Sequence, residues 1–320
     1  MSATLTTERP APARAAKARA DVRIGVSGWT YPPWRGNFYP EKLRQADELA
    51  YAGRQFNAIE INGTFYGLQV PKSFLDWKAA TPDGFVFAVK GSRFITHILR
   101  LKQVETPLAN FFASGVLALG EKLGPILWQF PPFFRYDPDR FEPFLALLPH
   151  DGPAAARLAA RHDNRLRADA WLDPTGVGKV RHAVEIRNDS FRDPRFIAQL
   201  RRHNVALVTA DTVEWPLLMD LAADFVYCRL HGSTELYNSG YTPAELDRWA
   251  ARIEAWANGR PMRDGNFVTD PLDDHRRRDV FLFFDNTDKL KAPDDAHGLM
   301  RRLNVEAKGT PWPEAPSASA

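Results

Sequence analysis

The stretch Phe225-Val-Tyr-Cys-Arg-Leu-His-Gly232 decides the fold. Its side chains alternate with a period of two, which is the spacing of a strand. Val226, Cys228 and Leu230 make one face apolar, while Tyr227, Arg229 and His231 load the other with polar and charged groups. The pattern recurs. In Phe56-Asn-Ala-Ile-Glu-Ile-Asn62, Ile59 and Ile61 oppose Glu60 and Asn62; in His182-Ala-Val-Glu-Ile-Arg187, Val184 and Ile186 oppose Glu185 and Arg187. Such strands require a helical coat on the apolar side and a shared polar interior on the other.

Outward from there, strand-like runs at 22–27, 57–62, 85–90, 125–130, 182–187, 205–211, 225–231 and 280–284 alternate with helical runs. Helices are expected at 46–54, 71–80, 154–161, 195–203 and 295–303. Another opens at Thr106-Pro107 and runs toward Lys122, and Asp137-Pro138 opens a further one. Thr242-Pro-Ala-Glu245 is a capping box that starts a helix with Leu246, Trp249, Ile253 and Trp256 on its buried side. Residues 163–181 read as an insertion. The polar loop 258–278 contains Arg276-Arg-Arg278, expected on a solvated rim. The expected architecture is α/β: a single (β/α)₈ TIM-type barrel over residues 21–305 with long βα loops, and tails at 1–20 and 306–320 too poor in apolar residues to bury. An open sheet would not need charged side chains facing one way on nearly every strand. The chemistry of such a barrel belongs at the C-terminal rim of its strands.

Composition narrows the function classes. Of 320 residues, 42 are basic and 39 acidic, a net charge of +3, too balanced to argue nucleic-acid binding from charge. The lone cysteine, Cys228, excludes an intramolecular disulfide or a cysteine-ligated cluster. No run of eighteen apolar residues spans a membrane, and the first twenty residues lack a signal peptide's apolar centre, so the cytoplasm is the expected compartment. The phosphate-binding GxxxxGK[ST], the dinucleotide-binding GxGxxG and the nucleophile-elbow GxSxG are all absent.

Strand parity gives an inward set: Ser27, Glu60, Asn62, Lys90, Gln129, Glu185, Arg187, Asp211, Arg229, His231 and Asp285, with Arg93, Thr96, His97, Asn188, Tyr237, Tyr241, Asn286 and Lys289 added by loops. Lys90, Arg187 and Arg229 balance Glu60, Glu185 and Asp211, three against three. A purely structural network would read the same way, yet buried ion pairs are poor stabilisers and a ligand explains their concentration at the strand ends better. Arg187 and Arg229 are expected to clamp an anion. Glu185 or Glu60 is expected to act as general base or acid, with Lys90 and His231 polarising the substrate or moving protons. Asp211, Glu185, His231 and Asp285 are also the groups that would hold a divalent metal, although no HxH or HxxE spacing accompanies them and the arginines repel a cation. No organic cofactor is expected. Trp29, Tyr31, Trp34, Phe65 and Tyr66 either stack a sugar or base, or fill the loop core.

Several stretches resemble one family. Val26-Ser-Gly-Trp29 with Trp34 and Phe38-Tyr-Pro40, Glu60-Ile-Asn-Gly-Thr-Phe-Tyr66, and Phe87-Ala-Val-Lys90 with Ile95-Thr-His97 are similar to motifs of the DUF72 (YecE-like) family. So are 119–132, Val184-Glu-Ile-Arg187, Tyr227-Cys-Arg-Leu-His-Gly232 and Tyr241. The resemblance runs from about residue 22 to 304, implies a TIM-type barrel and supplies no activity, since the family is one of unknown function. Asn188 and Phe191 stand where the family commonly has His and Trp, and Asp285 where it tends toward Asn. An Asn there would be a poor anionic metal ligand, which weakens the metal reading.

The leading expectation is therefore an enzyme of hydrolase, lyase or isomerase type acting by acid–base chemistry on a small anionic molecule, such as a phosphorylated or acidic sugar. Glu185, His231, Lys90 and Glu60 would be catalytic; Arg187, Arg229, Asn62, Gln129, Thr96, His97, Trp29, Tyr66 and Tyr241 would bind the substrate. The alternatives are a metal-dependent phosphodiester or sugar-processing enzyme and a non-catalytic nucleic-acid or metabolite-binding protein.

Overall fold

A computed structural model describes residues 20–232, 240–286 and 290–312. Of the expected tails 1–20 and 306–320, residues 1–19 and 313–320 lie outside the described residues, as do Tyr237 and Lys289, while Trp312 packs on Tyr51 at 5.8 Å. Eight parallel strands close in sequence order into a barrel: β1 Val22–Ser27, β2 Ala58–Ile61, β3 Val86–Lys90, β4 Leu123–Gln129, β5 His182–Glu185, β6 Ala206–Asp211, β7 Phe225–Leu230 and β8 Asp279–Phe284. Each matches an expected run to within two residues at either end. The helices around them are α1 Glu48–Ala52, α2 Gly63–Tyr66, α3 Pro71–Ala80, α4 Glu105–Ala113, α5 Pro138–Leu147, α6 Gly152–Ala159, α7 Pro194–Arg202, α8 Pro243–Asn258 and α9 Ala292–Leu303. Among the described residues no helix is long and apolar enough to cross a membrane.

Local chemistry explains the helix starts. Asp137, Asp151 and Asp193 each accept a backbone N–H at a helix start with proline in the first turn. Thr242 and Glu245 form both halves of the capping box. The helix begun near Thr106 differs from expectation, stopping at Ala113 rather than reaching Lys122. Gly115 takes φ 119°, in the left-handed region, and its missing side chain lets Pro71 pass within a distance no Cβ could share. The chain continues as tight turns over Val116–Lys122.

The barrel interior differs from a uniformly polar one. Ala58, Ala88, Ala183, Ala206 and Ala210 face Leu127, Phe225, Tyr227, Phe281 and Phe283 in one buried inner cluster, separate from the larger core between strands and helices. Large rings from β7 and β8 fill the space that small residues on the other strands leave, as interdigitating layers require. Charge sits at the two ends of this apolar interior: Arg23 and Asp279 at the N-terminal end of β1 and β8, and the larger cluster at the last inward positions of the strands.

Asp211 needs correcting. On β6 the inward residues are Ala206, Val208 and Ala210, so Asp211 points out to the helical coat, where it accepts a hydrogen bond from Trp249 Nε1 at 3.0 Å. The third acid of the balance is Asp285. Of the arginine run, Arg276 and Arg277 are exposed as expected, but Arg278 is buried, with both Nη atoms on Asp274 and its Nε on the Ala223 carbonyl. It precedes β8, at the end of the barrel away from the mouth.

Gly25 carries the tightest constraint on closure. A Cβ there would lie 1.8 Å from the Ala58 carbonyl oxygen, backbone that cannot step aside. Gly25→Ala is expected to cost about 3 kcal/mol or more, read as a lower urea midpoint at unchanged slope. A midpoint within error of the parent would show that β1 and β2 can separate.

Candidate functional site

At the C-terminal mouth the inward residues converge around Arg229, which is fully buried. Its Nε donates to Glu60 Oε2 at 3.1 Å, Nη2 to Glu60 Oε1 at 3.0 Å and Asp285 Oδ2 at 2.6 Å, and Nη1 to Glu185 Oε2 at 2.6 Å. The remaining Nη1 hydrogen faces His231 Nε2 at 3.3 Å. A guanidinium has five N–H groups, and all are spent. Arg229 is the counter-ion at the centre of the cluster, which corrects its role as an anion clamp.

The acids are equally committed. Glu60, with no exposure, accepts from Ser27 Oγ at 2.5 Å and Tyr227 Oη at 2.6 Å as well as from Arg229. Glu185 Oε1 accepts from Arg187 Nε at 2.8 Å and Nη2 at 2.7 Å. Burial alone would raise the Glu185 carboxyl, but Arg229, then Arg187, His231 and Lys90, outweigh it and hold the group well below the usual carboxylate range. Glu185, held ionised and saturated with donors, is a poor base and no acid at neutral pH, and the two Glu60 oxygens already accept four hydrogen bonds, so neither has the free lone pairs that the proton-transfer role expected of it needs. His231 is likewise enclosed, with Nδ1 3.3 Å from Asp285 Oδ2 and its ring 5.5 Å from that of Trp215.

Lys90 behaves differently. It ends β3, where the register against β4 shifts between Phe87 and Val89. Among the described residues its ammonium has no hydrogen-bond or ion-pair partner; Nζ sits 4.4 Å above the Phe65 ring. Burial first, and Arg229 second, lower its pKa to about 8 against the pull of Glu60, Glu185 and Asp285. Lys122 supplies the contrast. It too is buried, but its Nζ donates to the Lys78 and Thr81 carbonyls and to Thr81 Oγ1 at 2.7–3.2 Å.

Thr96 and His97 sit on a single π-helical turn, Phe94–Ile98, a local geometry common at functional sites. Thr96 Oγ1 lies 2.8 Å from His97 Nδ1, and the His97 ring meets Phe65 at 85°. Burial, with Arg93, Lys90 and Arg187, lowers His97 to about 4, so the imidazole is neutral at pH 7. Asn62 Nδ2 donates to Ser27 Oγ at 2.9 Å. Asn62 Oδ1, Gln129 Oε1 and Trp215 Nε1 are buried without a partner among the described residues.

Three expected binding residues stand apart. Tyr241 is buried with its hydroxyl accepting from Gly232 N at 3.1 Å, and it braces the end of β7. Trp29 packs on Trp77 at 5.6 Å, and Tyr66 is 72% exposed beside a cavity of ≈ 840 Å³. The Trp34, Phe38 and Tyr39 rings pack on one another and fill the first loop. Trp215 and Phe65 are the partners that strand parity could not find. Trp215, on the connection between β6 and β7, lies 4.0 Å from the Arg187 guanidinium, and Phe65 comes from the one-turn helix α2. Among the described residues no three His, Cys, Asp or Glu side chains form a set that could hold a metal ion. The three acids of the mouth all hold arginine.

Comparison with known proteins fits this picture. The family described as "Protein of unknown function DUF72" matches residues 23–319. The UPF0759 protein YecE of Escherichia coli (strain K12) is 24% identical over 295 residues, covering 88% of this chain and 92% of YecE. The UPF0759 protein YunF of Bacillus subtilis (strain 168) is 27% identical over 118 residues, covering 35% of this chain and 41% of YunF. Among solved structures, a DUF72 family protein of Thermotoga maritima superposes with a TM-score of 0.68 at 22% identity over 89% of this chain and 99% of its own. One of Enterococcus faecalis gives 0.62 at 15%, over 92% and 99%.

Two stability outcomes separate the charges. Arg229→Met leaves three buried acids without their counter-ion and is expected to cost about 3–5 kcal/mol in urea unfolding. Lys90→Met is expected to stabilise the protein at pH 7, by about 3 kcal/mol at most, the equivalent of a fall from 10.5 to about 8. Between those two values the unfolded chain binds the extra proton, so parent stability relative to Lys90→Met should rise with pH across that window. A parent-minus-variant difference flat from pH 7 to 10.5 would contradict the lowered pKa.

Proposed function

From a chain that belongs to the DUF72 family, whose description names no activity, we propose an enzyme that takes a small, anionic, hydroxyl-bearing molecule at the barrel mouth and acts on it by proton transfer through Lys90. The observation that carries this reading is the buried, unpaired amine of Lys90. At about 8 its pKa lies near working pH, where a general acid–base group is most effective. Folding leaves it strained in this way while Lys122 is fully satisfied, and perturbed groups of this kind concentrate at functional sites.

The inventory of unspent groups supports the substrate class. Every carboxylate of the mouth is committed to arginine, and among the described residues the donors left open include the Lys90 ammonium, Arg187 Nη1 and Trp215 Nε1, two of them cationic. Those favour a carboxylate or phosphate. The free acceptors, Asn62 Oδ1 and Gln129 Oε1, suit hydroxyls. Together they describe an acidic or phosphorylated sugar-like compound. Neutral His97 beside Phe65 is the second proton carrier. Arg187 is held flat by Trp215 and Glu185, so its open edge is oriented before a ligand arrives.

The test is a thermal-shift screen with sugar phosphates, sugar acids and small organic acids, set against oligonucleotides and divalent metals. A ligand at 100 times its Kd should add about 2.7 kcal/mol of stability. One class of anion should raise the melting temperature, and that shift should fall away in Gln129→Leu and Arg187→Lys. Shifts only with oligonucleotides, steeply weakened by salt, would replace this reading with nucleic-acid binding.

A further inference from the structure

Resting on the reading of Lys90 as the reactive group, we infer that its amine forms a covalent imine with an anionic carbonyl compound, a 2-oxo acid or the open-chain form of a sugar phosphate. Four observations converge. Lys90 is buried at the end of β3, in the mouth, where inward side chains from several strands meet. Among the described residues its nitrogen meets an aromatic face and no oxygen, so the lone pair of the free amine is not tied up by a donor and the ammonium is not anchored by an acceptor there. Lys122, equally buried, has three oxygens around Nζ and is thereby fixed as a structural cation. Finally, an imine nitrogen carries positive charge, and at Lys90 that charge stays within the field of Glu60, Glu185 and Asp285. A lysine desolvated next to another cation is the arrangement that makes an amine nucleophilic at neutral pH.

The step balances without an added oxidant or reductant. The nitrogen lone pair of the free amine attacks the carbonyl carbon and the carbonyl π pair moves to oxygen. Nitrogen then gives up a proton, oxygen is protonated, and the C–O bond breaks to release one water. The protonated imine that remains accounts for one proton taken from solution. Neutral His97, its Nδ1 held by Thr96 Oγ1 and its ring against the same Phe65, is the group at hand to relay the proton between nitrogen and oxygen. The anionic end of the compound would lie toward Arg187, whose Nη1 is uncommitted among the described residues.

Reductive trapping tests this on the full-length protein. Pyruvate and pyridoxal 5′-phosphate are each incubated with the protein across pH 6–10, reduced with borohydride and mapped by peptide mass. The expected result is an adduct at Lys90, formed about tenfold or more faster at pH 7 than at surface lysines such as Lys72 and Lys102, with half-maximal labelling near pH 8. Lys122 should stay unlabelled, and Lys90→Met should lose the fast adduct while retaining its circular dichroism spectrum. Labelling spread over the surface lysines with none preferred at Lys90 overturns the covalent step. If pyruvate or another small acid still raises the melting temperature in that case, the proton-transfer reading survives alone; if it does not, both fail together.

Discussion

One buried guanidinium organises the molecule. Arg229 brings a permanent charge into a fully buried position, and its five N–H groups must all find acceptors there. Glu60 from β2, Glu185 from β5 and Asp285 just past β8 supply them. A charge of this kind is costly to bury, and apolar replacements of such pairs are often neutral or better for stability. What the arrangement secures is position: four strands are tied at one height, because each carboxylate reaches Arg229 only in the register the barrel adopts. Ser27, Tyr227 and Arg187 fasten the acids from behind. The mouth is rigid before any ligand meets it.

That rigidity also divides the charges into two kinds. Those bound to Arg229 spend their hydrogen-bonding capacity on it and can do little but set the field. Lys90 and His97 lie at the edge of that field, against an aromatic ring rather than an opposite charge, and both are shifted toward neutrality. The acids make the cluster look like a catalytic dyad, but their oxygens are already taken by donors. The basic side chain that is less well served by the fold is the one available for work.

Much of this was legible in the sequence. Period-two alternation located all eight strands, and parity named Glu60, Lys90, Glu185, Arg187, Arg229 and Asp285 as neighbours from residues far apart in the chain. The resemblance to a known family pointed to the same barrel. Parity misled at Asp211 because the inward face of β6 is apolar, Ala206, Val208 and Ala210, while Leu207 and Thr209 lie outside; here the polar residues mark the outer face, the reverse of β2, β5 and β7. The roles were less legible than the positions. Alternation tells which way a side chain points, but not how many hydrogen bonds it must make, and the saturation of Glu60 and Arg229 follows from three-dimensional valence. Phe65 on the four-residue helix α2 and Trp215 on the connection after β6, which set the surroundings of Lys90 and Arg187, reach the mouth from segments too short or irregular for periodicity to encode.

The filled interior has a consequence for traffic. The Tyr227 and Phe283 rings meet at a tilt, 5.3 Å apart, below the charged layer, and Phe225 and Phe281 fill the level beneath them. Among the described residues these rings and their neighbours close the barrel axis between the mouth and the basic and acidic groups at its far end. Anything that arrives at Lys90 must leave by the doorway it came through. For a molecule transformed there, entry and exit share one door, and its product will compete with the next substrate for the same space.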